Sequence, residues 1–91
     1  MGYNPLDWNR RGIQRLIIDA EDALSFLNGV LSNSDPAERA MAIRNGRLIY
    51  KEMVRRRKSY LLTPVSAKAC EQLFDEIRGA LRRLRRSLGD M

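Results

Sequence analysis

Apolar residues recur along this chain with the three-and-four spacing of amphipathic helices, in three successive stretches. In the first, Ile13, Leu16, Ile17, Ala20, Ala23, Leu24, Leu27, Val30 and Leu31 fall on one side when each residue turns the helix by about 100°. The second has an apolar arc of Ala42, Ile43, Ile49, Tyr50, Met53, Val54, Tyr60 and Leu61, with Gly46 near its centre. A glycine in mid-helix costs about 1 kcal/mol against alanine. Gly46 therefore signals either the close approach of another backbone or a kink. The third stretch is the cleanest, with Ala69, Cys70, Leu73, Phe74, Ile77, Ala80, Leu81, Leu84 and Leu88 sharing one face.

The three prolines punctuate these stretches. Each follows a residue whose side chain can cap a helix: Asn4-Pro5, Asp35-Pro36 and Thr63-Pro64. Proline has no N–H to lose at the first helical position, and the residue before it can accept a bond from an orphan N–H of the first turn. Asp35 with Glu38 has the spacing of a capping box, and Gly89 is placed to end the last helix. The spacing predicts helices at about 5–32, 36–61 and 64–88. Each is a rod of about 40 Å at about 1.5 Å per residue.

Ser32-Asn33-Ser34 is too short to allow anything but an antiparallel neighbour. The expected fold is all-α, a single domain over residues 1–91, arranged as a three-helix antiparallel, up-down-up bundle. The main alternative is a dimer in which hairpins from two chains complete a larger bundle. Trp8, Ile18 and Phe26 miss the stripe of the first helix, and Met41 and Leu48 lie off the arc of the second. These five form the candidate protein interface.

Composition narrows the class. At 44% hydrophobic and 31% charged, the 91 residues are too apolar for a disordered chain. No stretch approaches the roughly 20 apolar residues of a membrane span. A lone cysteine, Cys70, makes no internal disulfide, and the N-terminus lacks the features of a secretory signal. A cytoplasmic location is the expectation.

Charge adds a direction. Seventeen basic residues, fourteen of them Arg, stand against eleven acidic ones, for a net +6. An up-down-up order puts the end of helix one, the start of helix two and the end of helix three at one pole. No basic residue lies between Arg15 and Arg39, whereas Asp19, Glu21, Asp22, Asp35 and Glu38 do. Arg82, Arg83, Arg85 and Arg86 are expected at that pole, where the opposite signs can offset. The other pole gathers Arg10, Arg11 and Arg15 with Arg55, Arg56, Arg57 and Lys58. It is the candidate basic binding pole. Four consecutive cations sweep about 300° of a helix, so Arg57 falls within the apolar arc.

Catalytic tools are few. The chain has no histidine, the commonest general base and metal ligand. Cys70 sits on an apolar face, where a free cysteine behaves as a small hydrophobe. Asp19, Glu21 and Asp22 point in diverging helical directions, and no phosphate-binding glycine loop or Cys-x-x-Cys occurs. No catalytic residue, metal or cofactor is expected. The sequence thus predicts a non-catalytic helical bundle that docks another protein or itself. The alternative is binding of a nucleic-acid phosphate backbone through the basic pole, although no recognition motif accompanies it.

Overall fold

A computed structural model describes residues 5–89 and shows three α-helices. They are α1 (Pro5–Ser32), α2 (Pro36–Arg57) and α3 (Pro64–Gly89), and each packs against the other two. The result is an all-α three-helix bundle, with principal extents of 57 × 25 × 18 Å. Asn4, the first of the three capping residues, lies outside the described residues.

The other two caps form. Asp35 is the N-cap of α2, and its carboxylate accepts from the Glu38 N–H at 2.8 Å. Thr63 Oγ1 accepts from the Ser66 N–H at 3.1 Å at the start of α3. Each such bond satisfies one of the N–H groups left unpaired at a helix start. At the end of α1, the Asn33 N–H donates to the Gly29 carbonyl at 3.2 Å, a bond of α-helical spacing one residue past the helix.

The core follows the sequence stripes. Leu16, Leu27, Met53, Ile77, Leu84 and Cys70 are the largest fully buried side chains. Burying each of the larger apolar ones contributes about 1.5–3 kcal/mol relative to exposure. Tyr50 of α2 meets Phe74 of α3 edge-on, with ring centroids 5.9 Å apart.

Gly46 is buried in this core, and α2 runs through it without a break. A Cβ there would lie 2.8 Å from Leu81 Cδ2 and 3.3 Å from Leu27 Cδ2. The nearest neighbours are side chains and not the backbone of another helix, which corrects the backbone-approach reading of this glycine. Leucines from both neighbouring helices fill the space that a side chain would take.

Two expectations for α2 are corrected. The helix ends at Arg57 rather than near residue 61. Lys58, Ser59 and Tyr60 continue only as short turns, their N–H groups bonding the carbonyls three residues back. Pro64 disfavours helical backbone at the residue before it, and residues 60–61 are held by α1 instead. Leu61 is consequently 83% exposed, outside the apolar arc to which its spacing assigned it. Ile49 was placed in the same arc and is 43% exposed, because it lies at the edge of the α1–α2 groove.

Candidate interaction surfaces

The start of α1 and the loop after α2 form a clamp. Asn9 Nδ2 donates to the Leu61 carbonyl at 2.9 Å, and the Leu61 N–H donates to Asn9 Oδ1 at 2.9 Å. One side-chain amide thus pairs with both backbone groups of a residue that has left its helix. Beside it, the Tyr60 ring lies over Gly12, where a Cβ would come within 2.2 Å of Tyr60 Cε1. Trp8 packs against the same ring, with centroids 5.3 Å apart and planes tilted by 49°. Trp8, one of the five candidate interface residues, is therefore half-exposed and engaged within the chain.

Carboxylates reach into the basic pole. Arg10 and Arg11 pair with Asp7 at 2.7 and 3.2 Å, and Arg55 pairs with Glu52 at 2.8 Å. Asp19 receives Arg15 at 3.3 Å on its own helix and Arg56 at 2.8 Å from α2. The Arg56–Asp19 pair is partly shielded, each side chain being 28% exposed. Five of the seven pole cations are thus paired, while Arg57 and Lys58 have no ion-pair partner among the described residues. Arg57, the last residue of α2, is half-buried.

At the opposite pole the expected offset between charges is not made by contacts. Among the described residues, no carboxylate pairs with Arg82, Arg83, Arg85 or Arg86, all of which are exposed. Asp19 turns instead to Arg15 and Arg56. The short side chains of acidic residues reach mainly one turn along their own helix, which is why most of these pairs are local.

The remaining four interface candidates separate by position. Phe26 is 55% exposed and lines a groove of about 270 Å³ between α1 and α2, together with Ile49. Ala23, Leu27, Gly46 and Ile77 also line it, with Asp19 and Asp22 at its acidic side. A second depression joins Leu48 to Ile49 and Met53, so the apolar surface continues along α2. Leu48 is 61% and Met41 65% exposed. The two lie seven residues apart, about two turns, on the same side of α2. Ile18, 47% exposed, lies about 80° round α1 from Phe26 and about 12 Å along it, away from the groove.

Cys70 is buried in the core. Burial pushes its thiol pKa up by penalising the thiolate, and the nearby Arg57 charge opposes that only in part. A neutral, enclosed thiol is a poor nucleophile. Among the described residues, no three His, Cys, Asp or Glu side chains are grouped so as to hold a metal ion. None of the helices is long and apolar enough to cross a membrane, among the residues described.

No family model, curated protein or solved structure matches this chain.

Proposed function

We propose that the protein is a non-catalytic interaction module that self-associates through its α1–α2 face. The observation that carries this reading is the apolar strip of Phe26, Ile49 and Leu48, each more than two-fifths exposed and joined through two adjacent depressions that share Ile49, with the exposed Met41 two turns from Leu48 on the same side of α2. Single exposed apolar residues are ordinary, whereas a contiguous strip next to a groove is the usual mark of an interface. Two such hairpin faces, related by a two-fold axis, would bury each other's strip in a larger helical bundle.

Charge supports a second copy as the occupant. The α1–α2 face carries Asp22, and an Asp19 neutralised by Arg15 and Arg56, so two copies meet there without strong like-charge repulsion. Along α2–α3, residues 39–51 and 77–89 carry cations and no carboxylate, so that stretch would repel itself.

Concentration-dependent amide shifts in NMR test this reading. Dilution is expected to move the signals of segments 22–27 and 41–49 and to leave those of 82–86 in place. Shifts centred on α3, or none at all, would contradict it.

A further inference from the structure

The +6 charge is concentrated in two segments. Residues 39–51 hold four cations, Arg39, Arg44, Arg47 and Lys51, and no carboxylate. Residues 77–89 hold five, Arg78, Arg82, Arg83, Arg85 and Arg86, again with no carboxylate. The other eight basic residues share the chain with all eleven acidic ones, so everything outside these segments sums to −3. The two segments supply +9.

The fold sets these segments side by side. Gly46 of α2 faces Leu81 of α3, and Tyr50 meets Phe74. Arg44, Arg47 and Lys51 line an open depression of about 710 Å³ on α2, with Tyr50 at its edge. On α3, Arg85 lies about 20° round the helix from Phe74, hence on the flank beside α2. Arg82 is exposed one turn earlier. None of these five cations is within 4.0 Å of a carboxylate among the described residues.

We propose that this α2–α3 face binds the phosphate backbone of a nucleic-acid duplex. Eight of the nine cations are Arg, whose planar fork matches phosphate oxygens in a bidentate manner. Arg44, Arg47 and Lys51 rise by about 4.5 and 6 Å along α2. A 13-residue helical segment spans about 20 Å, the length of about six base pairs at about 3.4 Å each. The face therefore reaches about five phosphates. A membrane surface fits less well, because surface-seeking helices insert an apolar side. The apolar side of α3 is instead closed into the core through Cys70, Phe74, Ile77, Leu81 and Leu84. Leu48 borders both this depression and the self-association strip, but none of the cations belongs to that strip, and the site stands without it.

The test is fluorescence anisotropy of a short, mixed-sequence, labelled DNA duplex titrated with the whole protein at several salt concentrations. Contact with about five phosphates gives a slope of about −4 to −5 in log affinity against log salt. A variant combining Arg44→Gln, Arg47→Gln and Arg85→Gln is expected to bind at least about tenfold more weakly, with a slope near −2. A control with the same change in net charge, Arg10→Gln, Arg11→Gln and Arg55→Gln, is expected to keep its affinity within about threefold and its slope. Circular dichroism verifies that both variants stay folded. Three outcomes overturn the proposal: no duplex binding at low salt, equal losses in the two variants, or binding of phosphatidylserine vesicles without binding of the duplex.

Discussion

Among single residues, the four glycines inside the helices divide into two kinds. Gly12 and Gly46 are places where another side chain occupies the space of a Cβ, whereas nothing lies within 4 Å of a Cβ at Gly29 or Gly79. Gly29→Ala and Gly79→Ala are therefore expected to stabilise the protein by about 0.5–1 kcal/mol each in urea unfolding, through helix propensity alone. Gly12→Ala must displace the Tyr60 ring from Trp8 and is expected to lose about 1–2 kcal/mol despite the same propensity gain. Asn9→Ala leaves both backbone groups of Leu61 without their partner and is expected to cost about 1–2 kcal/mol. Cys70 adds a pH dependence. Its folded pKa is raised, so its contribution is complete below the ordinary thiol pKa of about 8.5 and declines as the pH rises past it. Thermal melts between pH 7 and 10 are expected to show a fall that a Cys70→Ser variant lacks. None of the clamp was legible in the sequence. Asn9 and Gly12 carry no pattern of their own until Tyr60 and Leu61 leave α2 and return to α1.

The helices themselves were largely legible, because apolar period and proline-cap pairs agree at each start. Asp35 and Thr63 cap as their types predict. Asp35→Ala and Thr63→Ala are each expected to lower stability by about 1 kcal/mol, measured by the same urea titration. The one misplaced boundary, at the end of α2, has a physical cause. Tyr60 and Leu61 fit the apolar period, yet periodicity does not register a competing tertiary hold, and Asn9 supplies that hold. Ile49 fits the period too and lies at the rim of a groove, since two neighbouring helices do not cover the full width of the arc. Three of the four residues of the α1–α2 strip were thus visible in sequence. Phe26, Met41 and Leu48 stood out as misfits, while Ile49 was concealed by its regular spacing.

For the whole molecule, element ends gave the right poles but not the right pairing of charges. Ion pairs form mostly within one helix turn, and they engage Arg10, Arg11, Arg15 and Arg55 at the pole that net charge had marked as basic. Arg56 adds the one pair between helices, to Asp19, among the described residues. Apart from Arg57 and Lys58, the cations without nearby carboxylates gather in residues 39–51 and 77–89 of α2 and α3, and the apolar strip lies along α1–α2. This segregation underlies both proposed roles, since on the α1–α2 side Asp19 and its two Arg partners offset one another and a second copy can approach closely. Sedimentation equilibrium tests that account most directly. The wild-type protein is expected at twice the 10.5 kDa chain mass, and a Phe26→Glu, Leu48→Glu variant at 10.5 kDa with its helical content intact. A wild-type mass of 10.5 kDa at every concentration, or a double variant that remains dimeric, would contradict it.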